Sequence, residues 1–166
     1  LRLMQPGWDF SALHDDGHLD IPRLRAGGVG AVVLAVYAPG PIPPGEGPRA
    51  AQAQLDTIEC AVNRYADFVI AARTADDVRR AKELGRIAIL IGIEGGYLID
   101  DSLEVLREYH RRGAVYLTLT HAFHTTWADS SGVHENLLPL HGGLTEFGRE
   151  VVRELNHLGM MVDVSH

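Results

Sequence analysis

Ile87-Ala88-Ile89-Leu90-Ile91-Gly92-Ile93 runs without a single charge and ends on Glu94-Gly95-Gly96. A segment that is apolar apart from one glycine has no face to offer water, so it reads as a strand buried on both sides. Its neighbours decide what kind of sheet it joins. Upstream, residues 29–37 form a Val- and Ala-rich run between Gly27-Gly28 and Pro39-Gly40-Pro41. The stretch 39–48, with five prolines, reads as a surface loop. Leu55, Ile58, Val62 and Tyr65 then follow a helical spacing, and 68–72 reads as a short buried strand. Thr74 caps a helix that carries Asp76 and Asp77 in its first turn and stops at Gly85.

Beyond the central run the alternation continues. Asp101 and Glu104 resemble a capping box for a helix that buries Leu103, Leu106 and Tyr109 and ends at Gly113. Residues 115–120 form a strand running into His121, and a long polar loop spans 121–143. Thr145 caps a helix that turns Phe147, Val151, Leu155 and Leu158 inward, with Gly159 as its stop and 160–165 as the last strand. Helices between buried strands force parallel pairing, so the class is α/β. A flavodoxin-like open sheet and part of a (β/α)8 barrel both satisfy this pattern, and periodicity does not separate them.

Composition excludes several functions. Lys and Arg number 15 against 22 Asp and Glu, a formal charge of −7, and no basic cluster offers a nucleic acid its phosphate contacts. No apolar run approaches the roughly 20 residues of a membrane-spanning helix. Cys60 stands alone, which excludes an internal disulfide and a CxxC zinc ribbon and favours a cytoplasmic setting. Residues 1–4 resemble neither a signal nor a transit peptide. The chain closes on an apolar strand, so it is expected to be a piece of a longer protein. Nine histidines are the first hint of metal chemistry.

In both architectures active sites lie at the carboxyl ends of parallel strands. Three strand ends carry Glu94, His121 and His166. A carboxylate and two imidazoles on one rim form a zinc-type donor set, and a carboxylate can bridge two metals. Glu94 stands at the edge of the core, where burial is costly without a cation, and no helix is expected before Asp101. His18-Leu19-Asp20 has the spacing of a metal pair, but no strand precedes it, and Asp20 followed by Ile21-Pro22 reads as a helix cap. His124, His134, His14 and His141 read as loop residues, the first two solvated; His110 and His157 fall near helix carboxyl ends. Trp127 is placed at a pocket rim.

Six segments occur in order: 20–30 (DIPRLRAGGVG), 91–96 (IGIEGG), 117–121 (LTLTH), 127–129 (WAD), 143–148 (GLTEFG) and 162–166 (VDVSH). Together they resemble the membrane dipeptidase (renal dipeptidase) family of zinc peptidases. The resemblance implies a (β/α)8 TIM barrel of the metal-dependent hydrolase type, here a partial barrel of about five strand–helix units filling 1–166 as one incomplete catalytic domain. It implies hydrolysis of dipeptides by a metal-activated hydroxide at two Zn²⁺ ions, and a possible homodimer. Glu94 matches the bridging carboxylate, His166 a zinc ligand, and His121 a histidine that contacts substrate. The family's opening His-x-Asp and its later ligands have no counterpart here, so these 166 residues alone are expected to be inactive. Tyr97 stands where histidine is frequent and Thr126 where proline is usual. The alternatives are another amidohydrolase-type metal hydrolase, acting on an amide, lactone or phosphoester, and a non-catalytic relative.

Overall fold

Ile87–Glu94 forms strand β3 in the computed structural model, which describes residues 2–132 and 138–166. Around it lie β1 (Ala31–Tyr37), β2 (Val69–Ala71), β4 (Ala114–Thr118) and β5 (Met161–Asp163). The helices are α1 (Ile21–Ala26), α2 (Glu46–Arg64), α3 (Ala75–Glu83), α4 (Leu103–Arg111) and α5 (Glu146–Leu158). The sheet order is β1-β3-β4-β5, with β2 on β3. The pairings of β2 with β3, β3 with β4 and β4 with β5 are parallel. From β3 through β5 the strands keep chain order along the sheet, as in a partial (β/α)8 barrel and not a flavodoxin-like sheet, while β1 neighbours β3 directly and β2 pairs with β3 off that path.

Three features depart from the sequence reading. Strand β2 has only three residues and pairs Val69–Ala71 with Ile87–Ile89, the first half of β3, so it stands off the barrel path. Helix α2 begins at Glu46 and takes Pro48 into its first turn, where a missing N–H costs nothing, so the proline-rich loop is shorter than expected. Helix α4 is capped by Ser102, whose hydroxyl accepts from Val105 N–H at 3.4 Å, rather than by Asp101. Asp101 has φ 54° and accepts a hydrogen bond from Thr126 Oγ1 at 2.7 Å instead.

The chain groups into two compact units, Leu1–Leu34 with Gln54–Leu90, and Ala35–Ala53 with Ile91–His166. In the first, Asp20 caps α1 from a fully buried position. Its carboxylate accepts from Arg23 N–H at 2.8 Å, Arg23 Nε at 2.6 Å and His14 N–H at 3.2 Å. Burial alone would raise its pKa, but these donors hold it below the ordinary carboxylate range. The second unit is organised by Trp127, which is 1% exposed and packs edge-on against Phe147 of α5. Gly96 makes room for it: a Cβ there would lie 2.2 Å from Leu119 O and 2.5 Å from the indole.

Two stability predictions follow from these contacts. Asp20→Ala should cost about 2 kcal/mol, the upper end for a helix cap, because the orphaned Arg23 guanidinium still reaches water. A depressed carboxylate stabilises fully above its unfolded pKa of about 3.9, so the difference between parent and variant should shrink progressively as pH falls from there through the lower folded pKa. Thermal melts across pH 2–7 (roughly the carboxylate window) check both; a variant as stable as the parent at neutral pH refutes them. Gly96→Ala should cost about 3 kcal/mol, since the obstacle is main chain and cannot rotate away. Denaturant titration measures it, and a loss under about 1 kcal/mol contradicts the packing.

Candidate metal centre

Glu94, Thr118 and Asp163 lie in register across β3, β4 and β5 and form the last paired row of these three strands. Past this row the chain turns sharply at Gly95, φ 119°, into a short 3-10 turn, Gly96–Ile99. That turn comes sooner than the helix expected near Asp101, and its Gly95 cap position makes no side-chain hydrogen bond. His121 and His166 each follow their strand's last paired residue by three positions. Two equal offsets from a common row bring both imidazoles back over Glu94.

The convergence is tight. His121 Nε2 and His166 Nε2 each lie 3.5 Å from Glu94 Oε1, and the imidazole centroids are 4.2 Å apart. One donor atom from each of the three residues falls within 4.8 Å of the others, and all three side chains are partly exposed. Bonds of about 2.1 Å to a tetrahedral zinc would set neighbouring donors roughly 3.4 Å apart, close to the Glu94–imidazole spacing. Among the described residues, the ion-pair partners of Glu94 are these two imidazoles alone. Several carboxylates elsewhere are paired with arginine, as Glu154 is with Arg107 at 2.8 Å and Glu104 with Arg111 at 2.9 Å. The donor set therefore fits a divalent cation.

Aromatic and polar side chains frame the three. The Tyr37 ring, at the end of β1, lies 4.7 Å from that of His121. Tyr116 lies over Gly92, where a Cβ would fall 2.0 Å from its ring. Burial, then the charges of Glu94 and Asp163, raise the Tyr116 pKa and keep the phenol neutral. Tyr97 donates to Ala38 O at 2.6 Å, and burial, Tyr37 and Glu94 raise its pKa too. Asp163 accepts from Thr118 Oγ1 at 2.5 Å and from Ser165 Oγ at 2.8 Å. Burial opposes its ionisation, but those hydrogen bonds and His166 hold its pKa down. Sequence patterning gave no signal for Tyr37, Tyr116 or Asp163, because their roles depend on strand register.

The loop after His121 is more ordered than its polarity suggests. Asp129 accepts from the N–H groups of Leu140, His141 and Gly143 at 2.8–3.1 Å. Burial opposes this charge, yet the amides and His124 lower the Asp129 pKa to about 2. His124 is not solvated as expected: its side chain is 16% exposed and Nδ1 accepts from Ser130 N–H at 2.9 Å. Trp127 is buried in the second unit, not set at a pocket rim, and its Nε1 has no hydrogen-bond partner. His14 stacks on Trp8 at 3.7 Å, and His141 contacts Thr125 O at 3.0 Å. His110 and His157 occupy last turns of α4 and α5 as expected, while His134 lies outside the described residues. Asp20 is the cap described above, so the His18–Asp20 pair forms no part of the cluster.

Comparison with known proteins bears on the family and the fold. Residues 1–166 match the family described as membrane dipeptidase (peptidase family M19). Dipeptidase aclJ of Aspergillus oryzae is 41% identical over 163 residues, covering 92% of this chain and 38% of the relative. The crystal structure of the probable dipeptidase PvdM from Pseudomonas aeruginosa superposes with a TM-score of 0.83 at 26% identity, over 94% of this chain and 42% of that one. A metallo peptidase from Rhodobacter sphaeroides, liganded with a phosphinate mimic of the dipeptide L-Ala-D-Ala, gives 0.78 at 26% identity, over 92% and 51%. The chain thus spans about two fifths of the curated relative it matches. With the family matched from end to end and the fold shared with a solved relative, the chain belongs to the membrane dipeptidase family.

Proposed function

We propose that the protein containing this chain is a zinc-dependent dipeptidase, in which Glu94 and His166 hold metal and His121 contacts the substrate. The observation that carries the reading is Glu94 itself, a carboxylate at a strand end whose described ion-pair partners are two imidazoles and no arginine or lysine. Family membership supports the reaction class. The Rhodobacter relative, bound to a phosphinate mimic of a dipeptide, supports the substrate class.

Bound zinc supplies Lewis acidity, lowering the pKa of water towards neutrality and polarising a peptide carbonyl. The chain's own residues do the rest. Glu94 offers two oxygens, enough to serve two cations while His166 fixes the position of one. His121, with Nε2 3.5 Å from Glu94 Oε1, stands where it can donate to an oxygen that gains negative charge during attack on the carbonyl. Tyr37 packs against the His121 ring and restricts its orientation. Tyr116 and Tyr97 remain neutral phenols beside Glu94, adding no competing charge.

Roles separate in a metal titration of the intact protein, using competition with a chromogenic chelator. Glu94→Ala and His166→Ala should each weaken zinc binding by at least about 100-fold, the upper end of what loss of an outer-sphere partner costs. His121→Ala should leave zinc affinity within about tenfold while lowering kcat on dipeptides by roughly 100- to 1000-fold. An equal loss of zinc in all three variants would make His121 a ligand; intact zinc binding in Glu94→Ala would defeat the proposal. The phosphinate mimic of L-Ala-D-Ala should inhibit competitively, and dipeptides should be hydrolysed in a chelator-sensitive manner. Hydrolysis confined to lactones or phosphoesters would reassign the substrate.

A further inference from the structure

The two histidines of the centre follow different strands, and besides Glu94 one further side chain reaches both. Ser130 is buried, at 7% exposure, in the loop that follows His121. Its hydroxyl makes a short hydrogen bond to the main-chain oxygen of His121 and another, at 3.1 Å, to that of His166. Ser130 Oγ in turn accepts from Gly132 N–H at 3.1 Å. A hydroxyl has one proton and two lone pairs, so that proton is shared between the two histidine main chains. We infer that Ser130 is the positioning residue that fixes the spacing of His121 and His166 over Glu94.

Two further observations converge on that role. The main-chain oxygen of His166 also accepts from Ser131 N–H at 2.6 Å and Thr120 Oγ1 at 3.3 Å, so the loop around Ser130 holds it from several sides. Ser130 is itself held, since its N–H donates to His124 Nδ1. For Nδ1 to accept, His124 carries its proton on Nε2, which then donates to Leu138 O at 3.1 Å. Of these groups, Ser130 alone touches both histidines.

The metal arm of the test rests on the zinc reading above; an arm on the metal-free protein does not. In intact protein labelled with ¹⁵N-histidine, Ser130→Ala should shift or broaden the imidazole signals of both His121 and His166, assigned by their own substitutions. Thr120→Val, which removes a bond to His166 only, should move the His166 signal alone. With Zn²⁺ as probe, Ser130→Ala should weaken binding about 10- to 100-fold, as loss of an outer-sphere partner does. Ser130→Thr, which keeps the hydroxyl, should restore most of it. The inference is overturned if Ser130→Ala leaves both imidazole signals and zinc affinity unchanged, if Thr120→Val moves both histidines equally, or if Ser130→Thr fails as Ala does. Should the parent bind no zinc, the functional reading fails, while the imidazole signals of the metal-free protein still decide the role of Ser130.

Discussion

Parallel pairing with a fixed register is the constraint from which the centre follows. Glu94, Thr118 and Asp163 share one row across β3, β4 and β5, and the two histidines stand three residues past their members of that row. A one-residue slip of either strand would turn its side chains to the opposite face and separate an imidazole from the carboxylate. Most of what surrounds the row serves to prevent that slip. The Thr118 hydroxyl is hydrogen-bonded to Asp163, Leu119 N–H donates to Asp163 O at 3.1 Å, and Gly92 leaves the space that Tyr116 fills. The chemistry sits on the rim, but its precision comes from the ladder beneath.

Charge reinforces this arrangement. The chain carries a formal charge of −7, and several of its helical carboxylates are matched with arginines about one turn away. Such exposed pairs contribute little to stability individually. They do leave Glu94 distinctive, with only neutral-capable imidazoles opposite it. A carboxylate answered by two imidazoles, and by no arginine or lysine among the described residues, favours a cation at that place over a structural ion pair.

Elements governed by local chemistry were legible in the sequence. The apolar run of β3, the Thr74 and Thr145 caps, and Asp20 as a cap rather than a ligand all depend on neighbours within a few positions. That Glu94, His121 and His166 gather on one rim was legible too, because each lies at or just past the carboxyl end of a parallel strand. What depended on distant partners was not legible. Asp101 and Ser102 are both good caps, and the bond from Thr126 favours Ser102 by engaging Asp101 elsewhere. Nothing near Trp127 says that Gly96 and Phe147 enclose it, and nothing near Ser130 says that His166 lies within reach. The short β2 reads like any other strand, since an apolar pentapeptide does not reveal how much of its neighbour it covers.

The buried indole of Trp127 has an optical consequence. The chain holds two tryptophans, one in each compact unit. Trp127, sealed from water and without a partner for its N–H, should emit at short wavelength and resist collisional quenchers. Trp8 stacks on the His14 imidazole and lies near the Arg2 guanidinium, at 5.3 Å from its ring centroid. The stacked imidazole and the nearby guanidinium set its emission apart from that of Trp127. Two intrinsic fluorophores with such different surroundings make the loosening of each unit visible separately, with no label added.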